Sequence, residues 1–350
     1  MIKLEVFGAS HSKFIGGKVW GLPKGYAIDQ SQILSELKKR QNGYGRSARQ
    51  QIESNNFLIT RGIKNNKTTG GTLEFFIKNF DDDILSKPEI TALRSGHADY
   101  VGCVKYNLTS ARQIAEMSSG RNTLAHTVLG AICKQILATK DIFFYSYVRQ
   151  IGGVSTDIDV NLSQAMQIEA SLVRCPDQTA SQQMVELIDK ARLNGDTLGG
   201  ICQVVCSNLP IGLGEIVPYA DKLQSLVGRY LLSIPSVKGI EFGKWFGSSF
   251  VGSDCVEQFA LNGQRIVYDT NFCGGTIGGL TTGGELTVRL AVKPISSLAL
   301  PTQTIDLLTK QVVTTYHERS DVCVVPNIAV IAENMLSATI LNLFSKEGLV

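Results

Sequence analysis

The chain has 350 residues, 34 Lys+Arg against 31 Asp+Glu for a formal charge of +3, and is 43% hydrophobic but only 19% charged. At roughly 150 residues per domain that length admits two domains or one large one, and high apolar content at small net charge excludes a disordered chain. The near balance of charge also argues against a general nucleic-acid binder, which needs a large basic excess, so any basic character must be local.

The N-terminus, MIKLEVFGASHSKF, has no long apolar core and no small-residue cleavage site. No stretch is expected to approach the ~18 uncharged apolar residues of a spanning helix, and a soluble, cytoplasmic protein is the expectation. After the strand LEVF comes the small polar turn Gly8-Ala9-Ser10-His11-Ser12, then IGGKVWGLPKG (15–25), a β-rich run closed by Leu-Pro-x-Gly. Asp29 to Arg40 reads as an amphipathic helix with Ile33, Leu34 and Leu37 on one face. Just past it, RQNGYGRSAR gathers Arg40, Arg46 and Arg49 around glycines. Guanidinium forks suit phosphate or carboxylate, and with Arg94 and Arg112 they point to a multiply anionic small molecule, the alternative being a solvated basic turn.

Further along, Thr68-Thr69-Gly70-Gly71 opens the strand TLEFFIKN, and His97 lies in the loop Arg94-Ser95-Gly96-His97-Ala98-Asp99-Tyr100. Two loop histidines, His11 and His97, have the right chemistry for general acids, whereas His126, in the helical sequence 118–137, reads as structural. Asp157 to Asp189 reads as a helical connector. The second part repeats the first in order. LGGICQVVCSNLPIG (198–212) matches 15–25, the helix Ala220–Ser233 presents Leu223, Val227 and Leu231, Thr281-Thr282-Gly283-Gly284 opens ELTVRLAVKP, and Ile328–Leu343 closes in helical sequence. Such ordered self-similarity implies two related halves, about 1–140 and 190–345. Strands and helices do not alternate strictly, so the predicted fold is α+β: a pseudo-symmetric sandwich of mainly antiparallel sheets packed on helices, with a ligand where the halves meet. The glycine-dense stretch 271–283 serves close backbone packing or ligand approach, and Lys293-Pro294-Ile295-Ser296-Ser297 offers a cradle for a phosphate or a flavin edge. Neither a Walker loop nor a Rossmann glycine motif is present. Eight cysteines without a CxxC pair read as reduced, mostly buried thiols, with Cys202 and Cys206 on one face of a strand and no metal site expected.

The segments FGASHS, LKKRQNGYGR, TTGGTLEFFIKN, RSGHADYVGCVKY, SSGRNTLAHTVLGA, NGDTLGGI, LPIGLGE, NFCGGTIGGLTTGG, AVKPISS and ERSDVCVVPNIAVIAENML, in this order, resemble the chorismate synthase family over nearly the whole chain. The resemblance implies a lyase of the shikimate pathway and aromatic amino acid biosynthesis. Its reaction is the 1,4-anti elimination of phosphate from 5-enolpyruvylshikimate 3-phosphate to give chorismate, with reduced FMN required but no net redox change. It further implies a homotetramer, and NADPH as a second cofactor only if the chain is bifunctional and reduces its own FMN. By resemblance, His11 protonates the departing phosphate, His97 keeps the reduced flavin protonated and neutral, and Asp321 with Ser10 and Ser119 relays a proton around flavin N5. Substrate contacts carry over to Arg40 and Arg46, and flavin contacts to Ser118, Ser119, Gly278, Lys293, Pro294, Ile295, Ser296, Ser297 and Arg319.

Departures fall inside these motifs. Ala9 stands where the family has Glu before Ser-His, Ser12 where it has Gly, Met117 where it has Arg before the paired serines, Ser95 where it has Pro, and Ser320-Asp321-Val322 where it has His-Asp-Pro. The loss of a cation at Met117 bears on affinity more than on chemistry. Two alternatives to an active enzyme follow: a divergent homologue that binds flavin or substrate with weak or no turnover, and a flavin oxidoreductase using a nicotinamide cofactor.

Overall fold

The computed structural model describes residues 1–47, 57–80, 87–246, 250–315 and 320–350, which form two antiparallel sheets on either side of a layer of helices. In the first part the chain runs β1 (Lys3–Gly8), β2 (Phe14–Trp20), α1 (Gln30–Gln41), β3 (Phe57–Arg61), β4 (Leu73–Lys78), α2 (Asp99–Tyr106), α3 (Arg112–Met117) and α4 (Thr123–Ala138). The second part runs β5 (Phe143–Ile151), α5 (Gln178–Leu193), β6 (Gly200–Ser207), α6 (Leu223–Leu231), β7 (Val237–Phe242), β8 (Leu286–Val292) and α7 (Val325–Lys346). The sheet orders are β1-β2-β4-β3 and β7-β8-β6-β5, the latter extended beyond β5 by the two-residue strand Val154–Ser155, so the four main strands of each sheet stand as first, second, fourth, third. The segments that look alike in sequence occupy corresponding places: 15–20 and 200–207 are second strands, 73–78 and 286–292 fourth strands. The segment 157–189 does not join the two sheets. It is inserted inside the second one, between its first strand and its second.

Local sequence explains most of these elements. The Asp29 side chain caps α1 by accepting from the Ser31 N–H at 2.8 Å, and Lys38, Lys39 and Arg40 lie in its last turn, where cations offset the helix dipole. Alternation in β2 and β4 buries Ile15, Val19, Leu73, Phe75 and Ile77 on one face. All of these belong to one continuous core shared by both sheets and helices α1, α4, α6 and α7.

Helix α7 corrects one expectation: over its 22 residues it is long and apolar enough to cross a membrane, and 83% of its most apolar stretch is buried inside the fold. It is hydrophobic on all sides because it lies against α4 and the second sheet at once. Its approach to α4 depends on Gly130, where a Cβ would sit 2.4 Å from both the Cβ and the carbonyl oxygen of Asn334. The Ser337 hydroxyl bonds the Gly130 carbonyl at 3.0 Å across the same contact. Within this layer a charged triad is buried: Lys134 Nζ donates to Glu36 Oε2 at 2.6 Å and to Glu333 Oε1 at 2.5 Å, tying α1, α4 and α7 together. All eight cysteines are free thiols and six are buried, burial pushing Cys202 up to about 12.

Candidate active site

The C-terminal end of α1, the N-terminal ends of α4 and α7, and the loop after β8 converge on a cavity of about 410 Å³. The N-terminal, positive dipole ends of two long helices stand at this space, an arrangement that favours anions. Four cations line it: Arg40, Arg46, Arg121 and Lys293. A second cavity of about 660 Å³, bordered by Lys39, Tyr44, Arg174 and Arg192, shares Arg46 but holds neither the loop histidines nor the paired serines. The smaller cavity therefore carries the candidate chemistry.

Each cation is set in place by its surroundings. Arg40 is 4% exposed, its Nε donating to Thr123 Oγ1 at 3.0 Å and its Nη2 to the Gly120 carbonyl at 3.0 Å. Arg121 Nη1 donates to the Ser10 carbonyl at 2.6 Å, and Nη2 bonds Asn79 Oδ1 at 2.5 Å. Arg46 follows a turn in which Gly45 has φ +93°, and a Cβ at Gly45 would lie 3.0 Å from that of Cys323. That close, left-handed turn carries Arg46 onto Asp321, Nη1 to Oδ2 at 2.8 Å, while Ser47 N–H donates to the other carboxylate oxygen at 2.7 Å. Arg46 Nε and Asn327 Oδ1 are buried atoms with no hydrogen-bond partner among the described residues. Lys293 Nζ donates to Ser296 Oγ at 2.6 Å. Burial holds the Lys293 ammonium below its ordinary pKa, and nearby Lys238 acts in the same direction.

The hydroxyls and histidines form two groups. His97 lines the cavity and its Nε2 lies 2.9 Å from Ser297 Oγ, while Ser320 Oγ donates to the Ser297 carbonyl at 2.7 Å. Ser119 also lines the cavity and donates to Ser10 Oγ at 3.0 Å. His11, next to Ser10, is not on the cavity wall; its Nδ1 lies 2.7 Å from Glu116 Oε1 and its main-chain N–H donates to Glu116 Oε2 at 2.9 Å. Burial pushes the Glu116 carboxyl up, but the hydrogen bonds and charge of His11, with Arg112 beyond, outweigh it and hold the group below its ordinary value.

Of the residues singled out in the sequence, Arg40, Arg46, His97, Ser118, Ser119, Lys293, Ile295, Ser296 and Asp321 line this one cavity. Ser10 and Ser297 stand behind it, each bonded to a lining residue. Pro294 is not on its wall, nor is Gly278, which lies in the two-residue turn of the hairpin 276–281 with nothing within 4 Å of where its Cβ would stand, while its neighbour Gly279 closes on the Glu215 carbonyl. Arg49 and Arg319 lie outside the described residues. Arg94 and Arg112 do not extend the anion site. Arg94 is locked onto the buried Asp99, Nε to Oδ2 at 2.9 Å and Nη2 to Oδ1 at 2.8 Å, and Arg112 Nε donates to the Pro88 carbonyl at 2.8 Å. Sequence reasoning missed Arg121, Asn327 and Glu116. The signal for Arg121 was a cation two residues beyond the paired serines, opening a helix.

A helix-filled α+β sandwich whose cavity collects four cations, a histidine and paired hydroxyls defines an enzyme that acts on a small anionic molecule. The chorismate synthase family model matches residues 2–344. The chain is 36% identical to the chorismate synthase of Exiguobacterium sibiricum over 98% of its own length and 94% of that protein. It is 38% identical to the chorismate synthase of Symbiobacterium thermophilum over 93% of this chain and 89% of that one. A crystal structure of chorismate synthase superposes with a TM-score of 0.79 at 26% identity, covering 99% of this chain and 92% of the other. The chain belongs to the chorismate synthase family.

Proposed function

We propose that the chain catalyses the 1,4-anti elimination of phosphate from 5-enolpyruvylshikimate 3-phosphate to give chorismate, with reduced FMN bound, as a cytoplasmic homotetramer. The observation that carries this reading is the convergence of Arg40, Arg46 and Arg121 with His97, the Ser10–Ser119 pair and Asp321 around one cavity. FMN asks for a cation near its phosphate and an apolar wall beside its ring. Lys293 and the arginines suit the first, and Ile295, Ile328 and Ile331 the second. The buried Arg46 Nε and Asn327 Oδ1, a donor and an acceptor, favour a polar ligand that completes them. When bound, reduced FMN supplies electron density to the substrate ring and recovers it, so no net oxidation results.

The chain's own residues bind, orient and move protons. Arg40 and Arg121 are fixed by hydrogen bonds before any ligand arrives, so little reorganisation accompanies binding of the phosphate and carboxylate groups. His11 protonates the leaving phosphate, and His97, 2.9 Å from Ser297 Oγ, holds a proton at the cavity edge. Ser119 and Ser10 provide a hydroxyl path from the cavity to the turn bearing His11, and Asp321 is an acceptor whose position Arg46 sets. The test is anaerobic incubation of the purified protein with reduced FMN and substrate, following release of inorganic phosphate. Release at rates set by the protein supports the reading, and no release at saturating flavin refutes it. NADPH consumption in the presence of oxidised FMN assigns the bifunctional type.

A further inference from the structure

We infer that the larger cavity is a second anion site, one that takes a small phosphorylated molecule, and that Glu169 occupies its cations until such a molecule displaces it. The cavity measures about 660 Å³, room for a metabolite larger than phosphate alone, and shares Arg46 and Ser47 with the active-site cavity. Its wall carries four cations, Lys39, Arg46, Arg174 and Arg192, and, among the described residues, one carboxylate, Glu169. The active-site cavity has the same makeup, four cations and Asp321. The wall is built from the end of α1 with the turn 42–47, the segment 169–174 and the last turn of α5. Tyr44 ties the three together. Its main-chain N–H donates to the Leu172 carbonyl at 2.9 Å, its hydroxyl donates to the Asp189 carboxylate at 2.9 Å, and Arg192 lies over its ring at 5.4 Å.

Arg174 points to a ligand most directly. It is 7% exposed and stands at φ +58°, a left-handed conformation that a non-glycine residue keeps only where its surroundings impose it. Its Nη1 donates to Glu169 Oε1 at 2.8 Å and its Nη2 to the Ser146 carbonyl at 3.0 Å, while Nε is a buried donor with no partner among the described residues. Glu169 Oε1 also lies 3.7 Å from Lys39 Nζ, so one carboxylate, its side chain 38% exposed, holds both cations. The remaining pairings use carboxylates that are not on this wall: Arg46 with Asp321 at 2.8 Å, Arg192 with Asp189 at 2.5 Å and Lys39 with Glu36 at 3.0 Å. These pairs hold the donors in position but leave little excess charge, so the displaceable carboxylate decides whether an anion binds. A phosphate group in its place would accept charge-assisted hydrogen bonds from Arg174 and Lys39, with the Arg192 guanidinium at the rim.

Isothermal titration of the full-length protein with inorganic pyrophosphate at fixed ionic strength is the test, with inorganic phosphate as the smaller probe. Glu169→Gln removes the competing charge and should tighten binding about threefold to tenfold. A carboxylate that only fastened Arg174 would instead lower Tm and leave binding where it was, so unchanged or weaker binding in Glu169→Gln overturns the inference. Arg192→Ala should weaken binding about threefold or more, and Arg174→Gln about tenfold or more. If Arg174→Gln does not fold, Glu169→Gln and Arg192→Ala decide. Lys293→Ala alters the active-site wall alone and should leave this affinity within about twofold. Binding that Lys293→Ala abolishes would put the pyrophosphate in the active-site cavity and overturn the inference, as would no heat of binding at millimolar pyrophosphate. The readout is binding, so an absence of turnover would sink the proposed reaction and leave the second site standing.

Discussion

Replacing Lys134 with Met removes one cation from the middle of the helix layer and leaves two buried carboxylates facing each other. Lys134 Nζ bridges Glu36 Oε2 at 2.6 Å and Glu333 Oε1 at 2.5 Å, with the three side chains only 16%, 11% and 8% exposed. Lys39 Nζ, 3.0 Å from Glu36 Oε1, remains, and Asn334 and Ser146 still donate to the carboxylates, but no cation bridges the pair. Breaking a buried ion pair by deleting one partner costs about 3–5 kcal/mol. With an unfolding entropy of roughly 2.1 cal/mol/K per residue, about 0.7 kcal/mol/K for the whole chain, Tm should fall by about 4–7 °C. Burial pushes the Glu36 carboxyl up, but the charges of Lys134 and Lys39 and hydrogen bonds from Lys134 and Asn334 pull it well below its ordinary value of 4.5. A depressed carboxylate contributes stability that is complete above the unfolded-state value and fades as pH falls below it. Wild-type Tm should therefore be flat from pH 8 to 5 and decline at lower pH. The variant should gain Tm over the same interval as one of its facing carboxylates takes up a proton. Circular dichroism melts at a fixed scan rate measure both. A variant Tm within 1 °C of wild type at pH 7, with a parallel pH profile, would refute the reasoning.

Two further outcomes follow from close contacts. Gly130→Ala places a methyl 2.4 Å from the Asn334 backbone and must push α4 from α7, which should cost about 1–3 kcal/mol in urea unfolding. Unchanged stability would mean that the helix pair is not closely seated there. Arg121→Gln removes a charge-assisted bond to Ser10 and a cation from the cavity, so substrate KM should rise about tenfold or more, with bonds of this kind contributing about 1.5–3 kcal/mol. Steady-state kinetics with an unchanged KM would take Arg121 out of the substrate site.

Where chemistry is written in short spans, the sequence was readable. The helix opening at Asp29, the β-rich run 15–25, the strand TLEFFIKN and the ordered matches between 15–40 and 198–233 are all set by residues within a turn or a strand of themselves. β5 was missed as the opening strand of the second sheet because its sequence, FFYSYVRQI, carries polar residues on positions that are buried. Those residues satisfy each other only in three dimensions: Arg149 Nε donates to Gln203 Oε1 at 3.0 Å, and Gln203 Nε2 to the Tyr147 hydroxyl at 2.7 Å. The same limit misassigned Arg94, which reads as an available cation until Asp99, five residues on, neutralises it in a pocket where the carboxylate is fully buried. It also hid Glu116, whose partner lies a hundred residues upstream. A carboxylate in the sequence does not disclose which histidine the fold will set against it.

Met117 is the motif departure that bears most directly on affinity, and its position decides how much. Its side chain is 54% exposed and is not on the cavity wall, although Ser118 and Ser119, the next two residues, are. The wall beyond them is occupied by Arg121, so a cation stands there already. Met117→Arg would add a solvent-exposed charge beside a site with four cations. Exposed charge interactions contribute about 0–1 kcal/mol and are screened by salt, so the dissociation constants for FMN and substrate should tighten by less than about fivefold. Flavin fluorescence titration with and without substrate, at low and at physiological salt, measures the change. Tightening beyond tenfold at physiological salt would show that the missing cation had reached the ligand, and that Arg121 does not stand in for it.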